Sequence, residues 1–98
     1  MNDFDYQQLD DIIHARIRLA IIAVLISVGE AEFNFLKEKV NTTDGNLSTH
    51  LRKLEEAEYI LVKKEFQERK PKSFYSLTAK GKKAFELYVE RLEKLIKK

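Results

Sequence analysis

Leu47, Leu51 and Leu54 recur at the spacing that lines one side of a helix, while the positions between them are small, polar or cationic. At about 100° per residue, Gly45, Asn46, Ser48, Thr49, Arg52 and Lys53 point away from the leucines. The stretch Thr42 to Glu58 therefore predicts a helix with one face for burial and one face of donors, cations and a residue permitting close approach. Thr43 is placed to cap it, its hydroxyl accepting from the amide of Gly45 or Asn46, and Asp44 suits the positive end of the helix dipole. A plain solvated helix face looks the same in isolation. Its neighbours decide.

Before this helix, Tyr6, Leu9, Ile12 and Ile13 give Asp5 to His14 a one-sided pattern that predicts a short amphipathic helix, with Asp3 as its cap. Ala15 to Val28 predicts a second helix, apolar nearly all round in its latter half and so buried on more than one face, which Gly29 stops. Arg16 and Arg18 at its start read as surface or structural charges. An extended piece around Ala31 to Phe33 leads into a helix capped by Asn34, with Phe35, Leu36 and Val40 inward, and Asn41 and Thr42 make the turn. A short helix, a tight polar turn and a donor-faced second helix form a helix-turn-helix, in which the second helix enters the major groove.

Beyond it, Tyr59 to Gln67 and Ser73 to Thr78 are strand-like, and the charged turn Glu68 to Lys72 between them holds the chain's only proline, Pro71. Arg69, Lys70 and Lys72 at this tip are placed to reach phosphates or a minor groove, or else to be a solvated loop. A basic hairpin directly after a helix-turn-helix is the layout of a winged helix. Thr78 caps a last helix, Ala79 to Lys98, whose stripe of Ala84, Phe85, Tyr88, Val89, Leu92, Leu95 and Ile96 needs a partner surface. That partner is a second chain or the helix's own domain. The expected fold is mostly α with a small β hairpin: one winged-helix domain over residues 1–98, with a three-helix core, a wing and long terminal helices.

Composition narrows the chemistry. The 98 residues suit one domain, and 44% hydrophobic with 35% charged residues suits a globular chain rather than a disordered one. With no cysteine there is no disulfide, zinc-thiolate site or thiol nucleophile, and His14 and His50 lie in different segments without a third ligand motif. No metal, no cofactor and no enzymatic activity are expected, since no nucleophile with an adjacent base and no glycine-rich phosphate loop occurs. The longest apolar run, Leu19 to Val28, is too short for a membrane span. Acids without a basic region open the chain (Asp3, Asp5, Asp10, Asp11), so the expected location is cytoplasmic. Net charge is only +2, but Lys63, Lys64, Arg69, Lys70 and Lys72 stand against Glu65 and Glu68 in one short stretch, so one side can be basic.

The segments RLAIIAVL, FNFLKEKV, GNLSTHLRKLEEAEYI, ERKPKSFYSLT and AKGKKAFE, in this order and spacing, resemble winged-helix transcriptional regulators, nearest the small MarR/ArsR-like group of archaea and bacteria. The resemblance covers nearly the whole chain from Asp11 onward. It implies a dimeric DNA-binding regulator acting on double-stranded DNA. Thr43, Gly45, Asn46, Ser48, Thr49, His50, Arg52 and Lys53 would then lie on the recognition helix, and Arg69, Lys70 and Lys72 on the wing. Residues 1–14 and 79–98 would serve homodimerisation through Leu9, Ile12, Phe85, Tyr88, Leu92 and Leu95. The chain departs from the group in lacking the cysteine and histidine clusters of metal-sensing relatives and a large effector domain. It also has Glu58 where relatives often have glycine after the recognition helix. The competing reading is a winged-helix protein-protein interaction module of the transcription machinery.

Overall fold

A computed structural model describes residues 6–97. Helix α1 spans Arg16–Val28, strand β1 Glu30–Glu32, helix α2 Phe33–Val40, helix α3 Asp44–Glu56, strands β2 Ile60–Gln67 and β3 Lys70–Leu77, and helix α4 Ala79–Ile96. The three strands form an antiparallel sheet in the order β1-β3-β2. In register, Ala31, Tyr75 and Val62 lie side by side across it. Ala31 and Tyr75 are buried and Val62 packs against them, so this face of the sheet closes the core made by the first three helices. The outer face is mixed: Lys63 reaches Glu30 at 3.4 Å and Glu65 at 3.3 Å beside exposed Leu61.

Ile21, Ile22 and Leu25 of α1, Leu36 of α2 and Leu47, Leu51 and Leu54 of α3 are the heart of the core, each at most 1% exposed. Burial of α1 is less complete than its sequence suggests, since Ile26 and Val28 at its far end are 48% and 47% exposed. Gly29 ends α1 at φ +86, a conformation glycine takes without strain, and its amide donates to the Leu25 carbonyl at 2.8 Å.

Four local expectations are corrected. Among the described residues, the amphipathic helix expected up to His14 is a 3-10 turn, Tyr6–Gln8, followed by irregular chain; the Asp3 cap lies outside the described residues. Asp10 is the reason. Its Oδ1 accepts from the amides of Ile12 (2.8 Å) and Ile13 (3.2 Å), a local alternative to helical bonding that aims Ile13 into the core at 0% exposure. Asn34 does not cap α2, because the helix begins one residue earlier, at Phe33, with Glu32 as N-cap and no side-chain cap bond. In consequence Phe33 packs on the core and Phe35 is 37% exposed. The hairpin tip is shorter than Glu68 to Lys72: Glu68 and Arg69 alone make the turn, both at positive φ (53 and 67), and Lys70, Pro71 and Lys72 pair in β3 with Gln67, Phe66 and Glu65. Pro71 falls where β3 has only one neighbour, so its missing N–H is tolerated.

The segment before α1 is a strap. The Tyr59 hydroxyl donates to Asp10 Oδ2, His14 Nδ1 is hydrogen-bonded to the Tyr88 hydroxyl at 2.7 Å, and Arg91 donates to the Gln8 carbonyl at 2.7 Å. A groove of about 510 Å³ lies between this strap, Tyr59 and α4, lined also by Lys80, Lys83 and Leu87.

α3 ends in a Schellman motif: Glu58 N–H donates to the Glu55 carbonyl (2.9 Å) and Tyr59 N–H to that of Leu54 (2.9 Å). Glu58 takes the left-handed conformation there, φ 65, so it occupies a position that favours glycine. The start of α4 is built on the same residues. Thr78 N–H donates to the Tyr59 carbonyl (3.0 Å), its hydroxyl donates to the Glu58 carbonyl (2.7 Å) and accepts from Gly81 N–H (2.9 Å). A methyl group at Gly81 would collide with the Tyr59 carbonyl.

Two outcomes follow. Gly81→Ala should destabilise the fold by about 1–3 kcal/mol through overpacking, although alanine is the better helix former by about 1 kcal/mol; urea unfolding measures it. The Tyr59 phenol is pushed up to about 12, by burial first and then by its hydrogen bond to Asp10 and that carboxylate's charge. Because the folded state favours the neutral phenol, this contribution is full below pH 10, the ordinary tyrosine value, and lost as pH rises through about 12. Asp10→Asn should move the Tyr59 ionisation, followed by absorbance at 295 nm, part of the way back down.

Candidate nucleic-acid interface

The buried leucines of α3 dictate what its far side shows. With Leu47, Leu51 and Leu54 fixed inward, Gly45, Asn46, Ser48, Thr49, Arg52 and Lys53 are all exposed, and none of their charged groups is in an ion pair among the described residues. Thr43 caps the helix as expected, its hydroxyl accepting from Asn46 N–H at 3.2 Å. Asp44, in the first turn, is matched by Lys37 of α2 at 2.8 Å, which ties the two helices together and offsets the negative charge beside the donor face. Asn41, at φ 61, turns the chain between them in the left-handed region that asparagine tolerates, and its amide donates to the Lys37 carbonyl (2.9 Å).

His50 differs from its neighbours. It is half-buried, and its Nδ1 accepts from the Arg18 guanidinium at 2.9 Å, so the ring is engaged with α1. Burial first, then the charges of Arg18 and Lys53, hold its pKa below the ordinary 6.5, which keeps it a neutral acceptor for Arg18. Arg18 also donates to the Ile12 carbonyl at 2.5 Å and to that of Asp11 at 3.4 Å. It is the structural charge the sequence suggested, joining strap, α1 and α3. Glu56 falls on the donor face by helical spacing and is exposed, toward the C-terminal end of α3.

The hairpin extends from the same core. Of the three cations expected at its tip, Arg69 sits in the turn, and Lys70 and Lys72 follow in β3. Lys64 adds a fourth cation on the other face of the hairpin from Lys70 and Lys72, which oppose Gln67 and Glu65: it is exposed on β2 and, like the other three, makes no ion pair among the described residues. Strand alternation was the signal that could have singled it out, since Lys63 on the opposite face is taken up by Glu30 and Glu65. A capped helix with an exposed donor face and a hairpin with four cations unpaired among the described residues thus project from one scaffold. Such an arrangement can bond base edges with one element and neutralise phosphates with the other.

The positions expected at a chain-chain seam divide. Tyr88 is 4% exposed and belongs to the chain's own core, while Leu9, Ile12, Phe85 and Leu92 pack half-buried against that core. Leu95 is 41% exposed. The first half of the α4 stripe is therefore used within the chain, and the part left bare is Val89, Leu95 and Ile96, at 37%, 41% and 78% exposure. Among the described residues, no group of three His, Asp or Glu side chains is placed to hold a metal ion, and no helix is long and apolar enough to cross a membrane.

Comparison with known proteins agrees with this geometry. Residues 17–96 match the family described as Winged helix DNA-binding domain. An uncharacterized protein of Methanocaldococcus jannaschii is 41% identical over 86 residues, which is 88% of this chain and 94% of that protein. A transcriptional regulator homologue from Pyrococcus horikoshii OT3 superposes with a TM-score of 0.78 at 27% identity, over 87% of this chain and 84% of the other. Diamide-treated YodB from B. subtilis gives 0.75 at 25% identity, over 84% and 80%.

Proposed function

The chain belongs to the winged helix DNA-binding domain family, and on that premise we propose that it is a sequence-specific transcriptional regulator that binds double-stranded DNA as a homodimer, in the cytoplasm and without catalysing a reaction. The observation that carries this reading is the outward face of α3, whose donors and cations are exposed because its leucines are buried, beside a hairpin with four cations that make no ion pair among the described residues. α3 enters the major groove, where Asn46, Ser48, Thr49 and Arg52 reach base edges. Thr43, Gly45 and Lys53 lie close to the backbone, and His50 acts from behind, holding α3 to Arg18. Arg69, Lys70 and Lys72 neutralise phosphates or line a minor groove, supplying affinity that falls with salt. The description of the Pyrococcus protein as a transcriptional regulator homologue supports the regulatory role, and the name of the matching family supports DNA binding.

The dimer is formed by the bare end of α4, Val89, Leu95 and Ile96, continued by Leu92 and Phe85 and bordered by Leu9 and Ile12. Two-fold pairing along this helix would set two α3 helices toward half-sites about one DNA turn apart, roughly 34 Å.

Selecting bound duplexes from a random pool, then measuring affinity by fluorescence anisotropy, tests the reading. Arg52→Ala should lose about 1–3 kcal/mol on the selected site and relax preference at one base pair. The combined Arg69→Ala, Lys70→Ala and Lys72→Ala variant should instead weaken all duplexes alike and flatten the slope of log K against log salt by roughly one unit per lost phosphate contact. Absence of any duplex binding by the wild-type chain would give the place to a protein-contact module. For assembly, Leu95→Glu with Ile96→Glu should yield a folded monomer by light scattering at tens of micromolar and sharply weaker operator binding; a wild-type chain that is monomeric under those conditions would remove the dimer.

A further inference from the structure

The inward face of the hairpin does not stop where the core stops. Directly opposed residues of an antiparallel pair share a face, and faces alternate along a strand, so Ile60 with Leu77, Val62 with Tyr75, Lys64 with Ser73 and Phe66 with Pro71 form one continuous row. The first two pairs lie in the core or against it. The last pair is past it: Phe66 is 79% exposed, the barest of the large apolar side chains among the described residues, and Pro71 opposite is exposed too. Cations border this apolar pair. Lys64 precedes it on the same face and Arg69 follows in the turn beside Glu68, while Lys70, opposed to Gln67, belongs to the other face of the tip; the three cations make no ion pair among the described residues. The turn itself holds Glu68 and Arg69 at φ 53 and 67, where asparagine and glycine are the unstrained choices for a two-residue hairpin. An arginine is thus kept, against backbone preference, beside a bare ring and pyrrolidine.

A surface that suits both an unpaired guanidinium and a bare phenyl ring within one hairpin tip has anionic rims and apolar walls. The minor groove of duplex DNA has that form, with phosphates at its edges and deoxyribose carbons along its sides. We propose that Phe66, backed by Pro71, is a DNA-contact residue of the wing, its ring laid against the sugars of the minor groove while Lys64, Arg69 and Lys70 hold the flanking phosphates. This deepens the proposed DNA-binding reading and rests on it. The charge of the tip favours DNA over an apolar protein surface, because a protein seat for Phe66 would have to accommodate Lys64 and Arg69 as well.

The test uses the full chain, a duplex selected by the wild type, and a random duplex, with affinity measured across a salt series. Phe66→Ala should weaken both duplexes about tenfold while leaving the slope of log K against log salt unchanged, because no ionic contact is lost. Phe66→Leu, which keeps an apolar side chain, should recover most of the loss. Leu61→Ala, on the opposite face of the same strand at 61% exposure, should bind as wild type. Thermal unfolding of Phe66→Ala should match wild type, since the ring supports no core. Wild-type affinity in Phe66→Ala would overturn the inference while leaving the DNA-binding reading intact; a wild-type chain that binds neither duplex would overturn both. A Phe66→Ala variant with unchanged DNA affinity but a smaller mass by light scattering would assign the ring to a contact between chains and likewise overturn it.

Discussion

What α3 presents at the surface depends on the seating of three leucines. Leu47, Leu51 and Leu54 of α3 are at most 1% exposed, against Ile21, Ile22 and Leu25 of α1 and the inner face of the sheet. Truncating one such side chain typically costs about 2–5 kcal/mol, a large part of the 5–15 kcal/mol that holds a domain of this size together. Because a helix is rigid, fixing one side fixes the azimuth of the other. Gly45, Asn46, Ser48, Thr49, Arg52 and Lys53 need no contacts of their own to be correctly aimed.

The second anchor of α3 is polar and crosses between elements. Arg18 gathers two carbonyls of the strap and the His50 ring, Lys37 meets Asp44, and the Tyr59 hydroxyl reaches Asp10. The pairs involve long side chains at partly exposed positions, where each contributes little alone. Their effect is positional. They hold the start of α3 to α2, its middle to α1 and the strap, and the chain just past its end to the strap.

Periodicity revealed the parts of this fold that periodicity controls. The leucine face of α3, the Thr43 and Thr78 caps, the stop at Gly29 and the hairpin after the helix-turn-helix all stand as the chain's pattern indicated. The departures arise where a local choice competes with pattern. Asp10 diverts its neighbours' amides from a helix; Phe33 rather than Asn34 opens α2 because a three-residue strand must pair with β3 immediately before it. Turn residues with positive φ that are neither glycine nor asparagine, such as Glu68 and Arg69, leave no signal in composition, and so the tip came out too long. The donor face of α3 was legible because burial alone defines it. The engagement of His50 with Arg18, 32 positions apart in the chain, was not. Nor could a helical stripe reveal how much of it one chain consumes: Tyr88 fits the seam by spacing, and only the strap carrying His14 shows that it is already covered.

Tyr59 lies at the meeting point of the end of α3, the strap and the first turn of α4, and what passes between these elements there is largely main chain. Its amide closes the Schellman motif, its carbonyl receives the Thr78 amide, and Gly81 rests on that carbonyl with no room for a single methyl group. Helices α3 and α4 are therefore coupled by a joint in which the Thr78 hydroxyl is the main side-chain contributor and the rest is largely main chain. Side-chain joints creep when sequences drift, because rotamers and volumes can be traded; a backbone-on-backbone joint has no such latitude. If α3 reads DNA and α4 pairs two chains as proposed, lineages of this chain would be free to change the letters that α3 reads while inheriting unchanged the angle at which α4 carries it, so the ruler and the alphabet of recognition would evolve separately.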